Sequence, residues 1–205
     1  MHLKNTTTTL FLLTLFSAWF TYAQTEKVYP ITNFDGDGIL PNAWQSYGDV
    51  GSHGVKKGTS ESDGKYFELV WSGDTSEGYI VSQSDITSHI IPKKKLKGKT
   101  VNDVFLRMDV NCGDAPGTIM NLILVDGPND CCEDEVNWLY SFKKNTCDWE
   151  TIEINLGDFG YAYNPSNQDK DIDITKIARV KVSTDISGGA SKQTFQFDNV
   201  ALVVK

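Results

Sequence analysis

"VFLRMDVNCGDAPGTIMNLILVD", residues 104–126, decides the fold class. Its first eight residues alternate: Val104, Leu106, Met108 and Val110 point one way, and Phe105, Arg107, Asp109 and Asn111 the other. The turn signal GDAPG follows, and then TIMNLILVD, a second run rich in residues that suit a pleated surface. That is strand, turn, strand, with one apolar face for a core and a polar row opposite it. The same pattern extends in both directions. KYFELVW (65–71), GYIVSQ (78–83), VNWLYSFK (136–143), WETIEINL (149–156), IARVKVST (177–184) and TFQFDNVALVV (194–204) are short, β-branched or aromatic, and bounded by Gly, Asn, Asp or Pro. A brief helical turn is expected near SDITSHI (84–90), but no stretch of useful length carries a 3.6-residue apolar period. Many short strands with turns between them predict an all-β fold, an antiparallel β-sandwich or jelly roll.

The N-terminus bears on compartment. Lys4 is the only full charge before the apolar stretch LFLLTLFSAWF (10–20), and Thr21 and Ala23 follow as small residues. A positive start, a short apolar centre and a small-residue exit predict a signal peptide over residues 1–23. The apolar stretch is shorter than the roughly 20 residues a membrane span needs. Residues 24–205 are then a single domain, expected to be secreted or periplasmic and monomeric. No cysteine follows the cleavage point to carry a lipid. The net charge of −8 argues against nucleic acid, which requires a concentrated positive footprint. The basic cluster KKKLKGK (93–99) lies between a proline and the following strand and reads as a solvated turn.

Four cysteines, Cys112, Cys131, Cys132 and Cys147, fit disulfides in an exported chain. Structural zinc lacks C-x₂-C knuckles here, and the mature chain offers only His53 and His89 as imidazole donors. If 104–111, 118–126 and 136–143 run antiparallel in succession, each spans roughly 26 Å. Cys112 and Cys147 then share one end, within the Cα separation of about 7 Å that a disulfide tolerates. Cys131 and Cys132, at the other end, are left to bond each other or stay as thiols. Strands divided between sheets would leave other pairings open.

The strand faces nominate binding residues. In WETIEINL, Ile152, Ile154 and Leu156 face the core, leaving Trp149, Thr151, Glu153 and Asn155 outside. VNWLYSFK allows two readings. Val136, Trp138, Tyr140 and Phe142 fill the core and Asn137 and Ser141 join the polar row, or Trp138 and Tyr140 form an exposed stacking platform. The core reading is preferred. The loop from Gly157 to Asp173 is long enough to be functional, and Tyr161 and Tyr163 within it are expected to be exposed.

Three stretches in order resemble the carbohydrate-binding jelly rolls of the galactose-binding-like superfamily: ITNFDGDGILPNAWQSYGD (31–49), WETIEINLGDF (149–159) followed by IDITKIARVKV (172–182), and FQFDNVALVV (196–204). The resemblance covers nearly all of the mature chain. It implies a structural calcium ion near the chain ends, held by Asp35 and Asp198. The chemistry agrees, because Ca²⁺ takes several oxygens. Asp37 and Asp63 are further donors, and Gly36, Gly38 and Gly64 would let carbonyls turn inward. The resemblance also implies glycan binding on a concave sheet face or in the adjacent loops. Sugars are held by flat rings against their apolar faces and by fixed polar groups at their hydroxyls. Arg107, Asp109, Asn111, Asn121, Asn137 and Glu153 supply the polar groups, and Trp138, Tyr140, Trp149, Tyr161 and Tyr163 the rings, with Trp44, Trp71 and Tyr79 as further aromatics of which some are core.

Two other classes stay open. A glycosidase needs two carboxylates about 5 to 9 Å apart, and Asp109 with Glu153 would be the pair. The chain lacks the E-x-D-x-x-E strand of laminarinase-like hydrolases and the strand motifs of jelly-roll alginate lyases. No nucleophile motif accompanies His53 or His89. An adhesion or structural protein would need no sugar at all. Non-catalytic glycan binding is the preferred reading.

Overall fold

The alternating stretches become strands. The computed structural model describes residues 25–38, 44–48, 52–58, 64–72, 78–82, 90–114, 116–126, 136–163, 171–184 and 192–205. Among them the strands are β1 (Lys27–Thr32), β2 (Trp44–Gly48), β3 (Ser52–Lys57), β4 (Lys65–Ser72), β5 (Gly78–Ser82), β6 (Val104–Asn111), β7 (Thr118–Asp126), β8 (Val136–Lys144), β9 (Glu150–Asn155), β10 (Gly160–Tyr163), β11 (Ile177–Thr184) and β12 (Lys192–Val204). They form two antiparallel sheets, as the periodicity predicts. The first runs β3-β4-β12-β6-β9, with β1 also on β12; the second runs β10-β8-β7-β11-β5-β2.

The inner faces make one core. Val104, Leu106, Met108 and Val110 of β6 are buried against Met120, Leu122 and Leu124 of β7 and Val180 and Val182 of β11. Phe34, Trp44, Phe67 and Phe197 form an aromatic cluster with centroids 5.0 to 6.3 Å apart. Offset and tilted ring pairs at this spacing add to the area they bury.

One topological premise is corrected. β6 does not pair with β7: it lies between β12 and β9 in the first sheet, whereas β7 and β8 pair in the second. Residues 112–117 therefore link the sheets rather than forming a hairpin. Alternation shows which residues point outward but not from which sheet, so the polar row expected on a single face is divided. The predicted Cys112–Cys147 disulfide is present nevertheless, with Cα atoms 4.8 Å apart. The link between β6 and β7 and the end of β8 lie at the same end of the sandwich, where Thr118 pairs with Lys144. Cys131 and Cys132 lie outside the described residues, as do Asp63 and all but the last residue of the expected turn 84–90.

β12 changes partners midway. Its first half pairs with β4 and its second with β1, while β6 runs along its other side with a register shift between Asp198 and Ala201. Asn199, inside that bulge, has φ of +50°. Asparagine tolerates this left-handed conformation better than most residues.

Candidate functional site

The second sheet carries the face best suited to a long ligand. Because Met120, Leu122 and Leu124 point inward on β7, Asn121 and Ile123 point outward. By the same alternation Asn137, Leu139 and Ser141 face out of β8, and Arg179, Lys181 and Ser183 out of β11. Pairing aligns them as Ser141–Asn121–Ser183 and Leu139–Ile123–Lys181, with strands about 4.8 Å apart. The Ser141 hydroxyl donates to Asn121 Oδ1 at 2.6 Å, and Lys181 Nζ donates to Asn137 Oδ1 at 3.2 Å. The result is a row of hydrogen-bonding groups beside a row in which Leu139 and Ile123 give apolar surface and Lys181 a charge at its end. The backbone register carries the first row on through Tyr79 of β5 to Tyr47 of β2. Asn121, Asn137 and Ser141 were legible in the sequence. The β11 residues were missed, although IARVKVST alternates just as plainly.

Arg107, Asp109 and Glu153 emerge on the other side of the sandwich, from the first sheet, and are engaged there. The Arg107 guanidinium makes a two-pronged bond to Glu26, at 2.9 and 2.8 Å, and its Nε donates to Glu153 at 2.8 Å. Lys205 Nζ also bonds Glu153. Burial opposes the Glu153 charge, but Lys205 and Arg107 still hold its carboxyl below the usual range. Asp109 accepts from Thr151 on β9 and from Asn199 Nδ2, the latter at 2.7 Å. These groups tie the start of the domain, β6, β9 and the C-terminus together.

The exposed-platform alternative for Trp138 and Tyr140 is overturned, and the loop placement of Tyr161 and Tyr163 is corrected. Trp138 is 6% exposed and belongs to the core, as the preferred reading of VNWLYSFK held, so it is no stacking platform. Tyr140 packs against the core with Phe142 and Phe159. Tyr161 lies on β10 rather than in a loop, with its ring edge-on to Trp138 at 5.8 Å. Tyr163 is also on β10, paired in register with Asn137. The four residues of β10 are too few for alternation to stand out inside a polar segment. Trp149, by contrast, is 45% exposed, at the rim of a separate cleft of about 510 Å³ on the outer face of the first sheet, into which Asn111 also opens.

The candidate metal residues gather in part. Asp35 Oδ1 accepts from the backbone N–H of Lys65 at 3.0 Å, and Asp198 accepts from that of Asn199 at 2.7 Å. A Cβ at Gly64, where φ is +61°, would lie 2.6 Å from Asp35 Oδ2, so glycine is required for this approach. The Asp198 carboxyl is pushed up to about 7, first by burial and then by Asp109 and Asp35, against the opposing effect of the Asn199 amide. Such a group suits a cation. Asp37 instead receives a 3.3 Å bond from Asn33. Among the described residues, no three acid, histidine or cysteine side chains are close enough together to form a metal centre by themselves.

Comparison with known proteins gives a consistent answer. Residues 24–205 match the model of a carbohydrate binding domain, family 11. No curated protein matches the sequence. A family 11 carbohydrate-binding module from Clostridium thermocellum, solved with a β-1,3-1,4-mixed-linked tetrasaccharide, aligns with TM-score 0.58 at 19% identity, over 85% of this chain and 94% of that one. The family 11 module of a cellulosomal cellulase of the same organism aligns with TM-score 0.59 at 21% identity, over 88% and 95%. A family 30 module of another of its cellulosomal cellulases aligns with TM-score 0.55 at 14% identity, over 86% and 96%. At these identities the solved structures establish a shared jelly-roll fold.

Proposed function

The chain belongs to carbohydrate-binding family 11, and on that premise we propose that it holds a polysaccharide or oligosaccharide across the outer face of its second sheet, over β8, β7 and β11. It is a non-catalytic carbohydrate-binding module. The observation that carries the site is the pair of adjacent rows, Ser141–Asn121–Ser183 and Leu139–Ile123–Lys181. A sugar chain presents hydroxyls at its ring edges and C–H groups on its ring faces. A polar row beside apolar surface answers both, and a flat sheet face leaves the ends of the chain free to continue. Affinity electrophoresis against soluble plant, algal and microbial polysaccharides tests this. A mixed-linkage β-glucan is the first to try, given the tetrasaccharide held by the Clostridium module. Retardation that weakens in Asn121→Ala is expected. Equal retardation of both proteins would remove this face from the reading, and no retardation by any polysaccharide would remove the reading itself.

Asp35 and Asp198, completed by backbone carbonyls, are assigned a structural calcium ion, which would tie the β1 loop to the bulge in β12. Support comes from the half-buried Asp198 carboxyl, whose charge burial, Asp109 and Asp35 all oppose. Calcium should raise the melting temperature and a chelator lower it. Identical melts in both would dismiss the ion. Residues 1–23 are assigned to export and the mature chain to a secreted or periplasmic monomer. Among the described residues no helix is long and apolar enough to cross a membrane. An exported product beginning at Gln24 by mass spectrometry would support this, and one retaining Met1 would overturn it.

A further inference from the structure

The cleft on the first sheet has the features of a site in its own right. It lies on the opposite side of the sandwich from the Asn121 rows. One wall is aromatic: the rings of Trp149 and Tyr66 meet edge to face with centroids 5.4 Å apart. Exposing nearly half of a tryptophan to water is unfavourable, and here the ring is held in place rather than left to fold down. The Cys112–Cys147 disulfide joins the two segments that flank the cleft, with Gly113 and Asp114 just beyond one cysteine and Trp149 just beyond the other. The short segment carrying Trp149 is fastened again by Lys144, only 4% exposed at its side chain, which pairs with Glu150 at 2.7 Å and with Asp148 at 3.7 Å. Gly113 is required where it stands, because a Cβ there would lie 2.5 Å from Thr194 Cγ2.

The floor is polar and already ordered. Gln196 Nε2 donates to Glu68 at 2.7 Å, the Thr194 hydroxyl donates to Asp114 at 2.9 Å, and Asn111 Oδ1 accepts from Gly113 at 2.7 Å. Amide and carboxylate groups each carry several donor or acceptor positions. At about 510 Å³ the cleft is of ligand-binding size. Its lining contains two acids, Glu68 and Asp114, and Lys56 pairs with Glu68 at 3.8 Å.

We propose that this cleft is a second carbohydrate-binding site, in which Trp149 and Tyr66 meet the apolar face of a sugar ring while Gln196, Asn111, Glu68 and Asp114 take its hydroxyls. Fixed rings and ordered acceptors reduce the ordering cost of binding. With a ligand on each side of the sandwich, one domain bridges two polysaccharide chains, which a single face cannot do.

The proposal goes beyond the reading of the second sheet, and one experiment separates them. Native mass spectrometry and titration calorimetry on the intact mature domain use neutral tetrasaccharides (mixed-linkage β-glucan, cello-, xylo- and manno-series). The expected result is two bound tetrasaccharides, with one lost in Trp149→Ala and the other in Asn121→Ala. An aromatic contact of this kind corresponds to about a tenfold loss at the affected site. Trp149 is exposed, so its variant is expected to fold, and the circular dichroism spectrum confirms that. A double variant, Cys112→Ser with Cys147→Ser, should weaken the cleft and spare the Asn121 face. One bound ligand that survives Trp149→Ala and is lost in Asn121→Ala overturns the cleft and leaves the second sheet intact. One ligand lost in Trp149→Ala alone keeps the cleft and removes the second sheet. No bound ligand of any series overturns both.

Discussion

The two outer faces of the sandwich look alike in sequence and differ in what their polar groups do. Both arise from strict alternation, VFLRMDVN on one sheet and TIMNLILVD with VNWLYSFK on the other. On the first sheet Arg107, Glu153, Glu26 and Lys205 bind one another, and Asp109 is held by Thr151 and Asn199. On the second, amide, hydroxyl and ammonium groups stand in rows between isoleucine and leucine. A charge answered by its neighbour holds the fold together, whereas an amide row beside apolar surface suits a ligand that has both hydroxyls and C–H faces.

Substitutions can break this contrast, and the largest effect should come from the tryptophan that alternation left ambiguous. Trp138→Ala should cost about 3–5 kcal/mol in urea unfolding, as for other buried aromatics, while Trp149→Ala should stay within about 0.5 kcal/mol. Similar costs for the two would mean that Trp138 is not core. Next, removing the Cys112–Cys147 disulfide by double serine substitution should cost about 2–5 kcal/mol. Stability unchanged by reductant would contradict it.

Arg107→Ala should lower stability by about 1 kcal/mol, less at high salt because the pairs are part-exposed, with polysaccharide affinity unchanged. Asn121→Ala should do the reverse: an affinity loss of about 0.5–1.5 kcal/mol, the worth of one hydrogen bond, and little change in stability. Swapped outcomes would invert the assignment of the two faces. The last effect concerns pH. The Asp198 carboxyl is raised to about 7 in the fold, against roughly 4 for an ordinary aspartate. Between those values the folded chain keeps a proton that the unfolded chain has released, so in chelator stability should fall as pH rises from about 4 to about 7. Calcium, which favours the carboxylate, should flatten that slope, and a slope of opposite sign would contradict the burial of Asp198.

Strands with a clear single period were legible: β4, β5, β6, β7, β8, β9, β11 and β12 follow their sequence stretches closely. The four strands missed were β1, β2, β3 and β10. Pro30 interrupts the first, glycines sit in the next two, and β10 is too short to show a period. Disulfide pairing was legible because it depends only on which strand ends share an end of the sandwich. The allocation of outward residues between sheets was not, because a turn such as GDAPG serves equally as a hairpin and as a crossing. That is why Asn121 and Asn137 were placed in one row with Arg107 and Glu153. The cleft was hidden for a related reason: Tyr66 and Glu68 on β4, Gln196 on β12 and Asn111 on β6 come from strands far apart in sequence, and β12 lies between the other two.

The most direct test of the central claim is the backbone amide spectrum of isotope-labelled protein titrated with the mixed-linkage tetrasaccharide. The account predicts that residues of β7, β8 and β11, around Asn121, Ser141 and Lys181, shift as ligand is added. Saturable binding with those strands unmoved would contradict it.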